Sequence, residues 1–192
     1  MRLFVAAEIG EHLATRAEAL IVEIKRRVAE VAPRARVTWL TAPRLHITIR
    51  FIGDADHARA ETIVRELEPP LRLAPFDLGL AGVGVFPGHG PPRAVWAGVE
   101  RGLDAMVAVE REVASRVASI GIPGETRSYR PHLTLARVRE AAVLRSARLL
   151  EGLERELLGT TRIDAITLFE SRLSPAGPTY VPILRTSLGR PT

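Results

Sequence analysis

Along this chain the apolar residues change period several times, and each change marks an element. Arg2 to Ala7 is a short apolar run that reads as a first strand. Leu13, Ala17, Leu20, Ile21, Ile24, Val28 and Val31 then recur at the 3.6-residue spacing of an amphipathic helix, which Pro33 closes. Val37 to Leu40 predicts a short strand and Leu45 to Ile52 a longer one, stopped by Gly53-Asp54. A second helix is predicted from Asp56 to Leu67, with Pro69-Pro70 as its stop.

Leu71 to Val85 carries strand-like runs punctuated by Gly79, Gly82 and Gly84, and the stretch Phe86 to Pro92 is a loop dense in breakers. Arg93 to Val99 reads as a strand, and Met106, Val109, Val113, Val117 and Ile120 mark a third helix ended by Gly121 and Pro123. A loop leads into a strand beginning at His132. Ala141 to Leu158 is predicted to be helical, and Ile163 to Phe169 and Tyr180 to Thr186 to be strands.

Two of these strands carry the same pattern. Arg44-Leu45-His46-Ile47-Thr48-Ile49-Arg50-Phe51 and Arg130-Pro131-His132-Leu133-Thr134-Leu135-Ala136-Arg137 each read His-x-Thr-x with aliphatic residues at both x positions. With 13 Thr among 192 residues, two of five His followed by Thr at this spacing is roughly a one-in-twenty accident. A duplicated unit of strand, helix and His-x-Thr strand accounts for the pattern better. Its period of 86 residues is too long for a solenoid repeat and fits two related lobes. The predicted fold is α+β and bilobal: two duplicated lobes, each an antiparallel sheet with outer helices, facing a central cleft. The lobes are expected to intertwine as one domain over residues 1–192, and the protein to be a monomer.

Composition narrows the chemistry. There is no Cys, which removes disulfides, thiolate metal sites and thiol catalysis. The formal net charge of +5 comes almost wholly from Arg, with Lys25 the only lysine. Guanidinium groups fork onto phosphate oxygens, so an anionic partner such as RNA suits this surface. No apolar run is long enough to span a membrane, and no membrane partner is expected. The first residues are too few and too soon acidic for a signal peptide, so a cytoplasmic location is expected.

Residues two apart on a strand share a face, so each motif sets one imidazole beside one hydroxyl. Two imidazoles across a cleft can act as general base and general acid, because imidazole titrates near neutral pH. The hydroxyls of Thr48 and Thr134 can hold the oxygens of a tetrahedral anion between them. Displacement at phosphorus needs that set: a base for the incoming nucleophile and an acid for the departing oxygen. Two His without Cys or nearby carboxylates are too few for a zinc site, so neither a metal nor another cofactor is expected. Five residues beyond each His stand Phe51 and Arg137, equivalent in the two units. Regular strand alternation puts both on the face opposite the histidines, and only a bulge or twist brings them to the cleft. There Arg137 could hold phosphate and Phe51 could stack on a base.

On these two motifs, with Arg2-Leu3-Phe4-Val5-Ala6 and Arg93-Ala94-Val95-Trp96-Ala97-Gly98-Val99 beside them, the chain resembles the 2H phosphoesterase superfamily. Within it the likeness is to the bacterial and archaeal RNA 2′,3′-cyclic phosphodiesterases, also called 2′-5′ RNA ligases. The resemblance implies hydrolysis of RNA 2′,3′-cyclic phosphate ends, tRNA fragments included, to 2′-phosphates without a metal. It implies catalysis by His46 and His132 and substrate binding by Thr48, Thr134, Arg137 and Phe51. His132 would activate water and His46 would protonate the 3′ leaving oxygen. Joining or cleavage of 2′,5′-linked RNA in the same site is the nearest rival. Non-catalytic binding of RNA ends is the rival from another class, though binding alone has no need of two histidines.

Overall fold

The computed structural model of the chain describes residues 1–125, 127–140, 149–175 and 177–189. The first half runs β1 (Arg2–Glu8), α1 (Glu11–Val31), β2 (Arg36–Trp39), a 3-10 turn (Ala42–Arg44), β3 (His46–Asp54) and α2 (His57–Leu67). The second runs β4 (Phe76–Phe86), β5 (Ala94–Arg101), α3 (Leu103–Ser119), β6 (His132–Glu140), β7 (Leu157–Ile163), β8 (Ala165–Ser174) and β9 (Gly177–Ser187). The apolar stripe read from the sequence is the buried face of α1, from Leu13 through Ala17, Leu20, Ile21 and Ile24 to Val28. Helix α2 starts where the Asp56 carboxylate accepts the backbone N–H of Arg59 at 2.8 Å.

The strands form one curled antiparallel sheet in the order β7-β4-β5-β6-β3-β1-β8-β9, with β2 attached to β6. The two lobes are the two sides of this sheet. They meet at β3 and β6, the strands that carry the duplicated motif, through one antiparallel pair, Ile47 with Leu133. Both side chains are fully buried in a core that draws on both lobes.

The helices cross between the lobes. Helix α1 follows β1 in the chain yet packs on β6 and β7, whereas α3 follows β5 and packs on β3 and α2. The curl brings the sheet round so far that the chain passes from the edge strand β7 into β8 through Asp164 alone.

Two expectations change here. Of the helix predicted over Ala141–Leu158, residues 141–148 lie outside the described residues, Leu149 and Leu150 are helical, and 151–155 form turns. Leu157 and Leu158 already belong to β7, which pairs with β4. Gly152, at φ +76°, breaks the helical geometry, and in β7 a register shift that skips Leu158 lets it and Ile163, an odd number of residues apart, both be buried. The strand predicted from Ile163 to Phe169 is in fact the end of one strand and the start of another.

Trp96 sets a local packing demand. Its indole lies flat across Gly84 on the neighbouring strand, where a Cβ would collide with the ring, and close to Gly98. It stacks on Phe86 with centroids 4.9 Å apart. Gly84→Ala must therefore displace the indole, and overpacking of this kind costs about 1–3 kcal/mol. A lower urea midpoint together with a shifted Trp emission maximum is expected, and a variant unchanged in both would contradict this packing.

Candidate active site

The site is built on the seam. Antiparallel register about Ile47 and Leu133 brings His46 toward Thr134 and Thr48 toward His132. Ile47 and Leu133 point into the core, so alternation turns all four motif side chains to the other face.

Alternation then breaks at the same place in both strands. In β3, Ala6 pairs with Thr48 but Val5 pairs with Arg50, leaving Ile49 as an extra residue. In β6, Trp96 pairs with Thr134 but Val95 pairs with Ala136, leaving Leu135 extra. Each bulge puts two consecutive residues on the core side: Ile49 with Arg50, and Leu135 with Ala136, all buried. The next residue returns to the motif face. Phe51 and Arg137 thus lie on the side of the histidines, which regular alternation forbids. Phe51 sits opposite Phe4 and is 58% exposed, and Arg137 sits opposite Ala94 and Thr38.

Each imidazole is anchored by a carbonyl two residues upstream. His132 Nδ1 lies 2.7 Å from the carbonyl oxygen of Arg130, which can only accept, so Nδ1 donates and Nε2 is left for chemistry. His46 is hydrogen-bonded to the backbone of Arg44. The hydroxyls of Thr48 and Thr134 and the guanidinium of Arg137 have no partner among the described residues.

Aromatic rings wall both histidines. His46 lies 5.0 Å from Phe4 and 5.0 Å, edge-on, from Tyr180, with Phe169 at 6.4 Å. His132 meets Phe86 edge-on at 5.0 Å and Trp96 at 6.3 Å. This apolar surround disfavours the imidazolium. Burial pushes His46 down from 6.5 to about 4, assisted by the charges of Arg137 and His132 and opposed by the bond to Arg44. Burial likewise lowers His132, with Arg137 acting the same way and the bond to Arg130 opposing. The unliganded pair is therefore neutral at pH 7.

The aromatic walls went unread in the sequence because their residues come from β1, β4, β5, β8 and β9, with no local spacing to connect them. Arg50 went unread too. The bulge turns it to the core side, 3% exposed, where it pairs with Glu110 at 3.2 Å and donates to the carbonyl of Pro123 at 2.6 Å. Among the described residues no group of three or more His, Asp or Glu is clustered so as to hold a metal ion.

A duplicated His-x-Thr strand at the centre of a two-lobed antiparallel sheet defines the two-histidine class of phosphoesterase folds. Residues 16–174 match the 2′-5′ RNA ligase superfamily, and the chain belongs to that family. It is 30% identical over 172 residues to the RNA 2′,3′-cyclic phosphodiesterase of Aquifex aeolicus, covering 88% of this chain and 92% of that protein. The crystal structure of TT0787 of Thermus thermophilus superposes with a TM-score of 0.77 at 27% identity, over 98% of both chains. E. coli LigT complexed with 3′-AMP, 21% identical over 98% of both chains, shares the fold with a TM-score of 0.72.

The depressed histidines link stability to pH. His46 stays neutral in the folded chain down to pH about 4 but protonates below about 6.5 when unfolded. Between those values the unfolded state binds more protons, so stability falls as pH falls through the window. His132 contributes in the same direction. Urea unfolding at steps from pH 8 to 4 should show this loss, and His46→Gln should reduce its slope. An identical slope in the variant would contradict the burial of a neutral His46.

Proposed function

We propose that this protein hydrolyses RNA 2′,3′-cyclic phosphate ends to 2′-phosphates with a His/His acid–base pair and no metal. The observation that carries the reading is the doubled bulge, which gathers two imidazoles, two unpartnered hydroxyls and the unpartnered Arg137 guanidinium on one face. The naming of the Aquifex aeolicus relative supports the same substrate.

In this reading the hydroxyls of Thr48 and Thr134 and the guanidinium of Arg137 hold the non-bridging phosphate oxygens. His132, neutral and anchored through Nδ1, takes a proton at Nε2 from a water aligned with the 3′ oxygen. The water oxygen bonds to phosphorus, the bond from phosphorus to the 3′ oxygen breaks, and His46 delivers its proton to that oxygen. The 2′-phosphate remains. Proton exchange with solvent then returns His132 to neutral and His46 to its charged form in the next complex. The desolvated His46 gains that charge only against the bound anion, so substrate binding itself arms the acid.

Phe51, exposed beside the socket, stacks on the terminal base. One chain supplies both histidines, and in this reading the protein acts as a monomer and as one domain. Its substrates are cytoplasmic RNA ends, tRNA fragments among them. The 2′ oxygen is present only in RNA, so DNA ends are not substrates.

The test uses EDTA-treated protein and an RNA oligonucleotide ending in a 2′,3′-cyclic phosphate, with the product identified by mass analysis. A 2′-phosphate is expected, and His46→Ala and His132→Ala should each lose at least about a hundredfold in kcat/KM. A loss of less than about threefold at both would overturn the acid–base assignment. The two roles separate with sulfur in place of the 3′ bridging oxygen, a leaving group that needs no proton. That substrate should restore turnover to His46→Ala and leave His132→Ala impaired, and the opposite pattern would exchange the roles.

A further inference from the structure

We infer that Tyr129 is a positioning residue: its hydroxyl ties the segment that orients His132 to the strand that carries His46 and Thr48.

The two histidines are held by equivalent carbonyls on unequal foundations. The carbonyl serving His46 belongs to Arg44, in the 3-10 turn Ala42–Arg44, which closes locally through Arg44 N–H to Thr41 O at 2.7 Å and Leu45 N–H to Ala42 O at 3.1 Å. The carbonyl serving His132 belongs to Arg130, and residues 128–131 form no helix, strand or turn. What fixes this stretch is a long-range bond: the Tyr129 hydroxyl donates to the carbonyl oxygen of Thr48 at 3.1 Å, across 81 residues of sequence. The carbonyl that orients His132 follows one residue later. Upstream, the Arg50 guanidinium holds Pro123 to the same strand.

The phenol is well placed to remain a donor. Its ring is half-buried against the core. Burial, with the carboxylates of Glu110 and Glu125 nearby, pushes its pKa well above the ordinary tyrosine value. Direct pairing of β3 with β6 consists of Ile47 with Leu133 alone among the described residues, so the Tyr129 bond adds a further tie between the two motif segments, beside the residue whose carbonyl sets the imidazole. Small misplacement of a reacting group is costly: about 1 Å can remove a hundredfold of rate.

Tyr129→Phe keeps the ring that packs and deletes only the hydroxyl. In protein labelled with 15N-histidine, the wild-type His132 signals should report a proton on Nδ1 at pH 7, and Tyr129→Phe should shift them toward a mixture of tautomers. On RNA ending in a cyclic phosphate, kcat should fall about tenfold with KM changed less than about twofold. In a His132→Ala background the same substitution should cost less than about twofold, because its effect passes through His132. Unmoved His132 nitrogen signals would overturn the inference, as would an equal cost in both backgrounds. The kinetic arms rest on the proposed function and the nitrogen signals do not. A wild type inactive on this RNA would sink the function alone, leaving the signals to decide the role of Tyr129.

Discussion

Everything at the site depends on one antiparallel contact between two strands, Ile47 against Leu133. Burying two aliphatic side chains of this size is worth about 1.5–3 kcal/mol each, enough to fix which residues face inward. Once those two point into the core, the alternation of a β-strand leaves the neighbouring histidines and threonines no choice of face. Chemistry is thus placed by packing on the reverse side of the sheet. A longer ladder would hold β3 and β6 closer in register, but here they share a single pair, and the pairing of β2 with β6 and the bonds made by Arg50 and Tyr129 add to it.

The second governing condition is dielectric. The histidines stand against rings, and the Arg137 guanidinium lowers the pKa of both. A neutral pair beside the Arg137 guanidinium leaves the site able to take an anion. An anion bound there would supply the field that an imidazolium needs, in surroundings where water screens it poorly. Aromatic walls do double service: they desolvate the pair and leave Phe51 exposed at the edge.

Much of this was legible in the sequence because the informative features were periodic or repeated. The stripe on α1, the breakers after β3 and α2, and the duplicated motif all state their structure locally. The faces of Phe51 and Arg137 were not legible, since a bulge adds one residue without any composition to mark it: Ile49-Arg50 and Leu135-Ala136 share little beyond their position. Equivalent positions at an odd spacing from each His, Phe51 and Arg137, were the available sign. The run from Leu149 to Leu158 misled for a different reason. Its leucines satisfy a helical period, and the glycine that ends the helix is only one residue among them. The rings around each His and the Tyr129 hydroxyl were out of reach, because sheet topology alone brings them together.

The crossing of α1 and α3 has a consequence for how the molecule assembles. Each lobe covers its central strands with a helix that the other half of the chain provides. Each half, cut away, would lose the strands on which its own helix packs. Each of the two helices covers strands on the other side of the seam, an exchange made within one polypeptide. Covalent linkage frees such an assembly from symmetry, and the pair Phe51 and Arg137 is where that freedom is visible: one position, two copies, and two different chemistries.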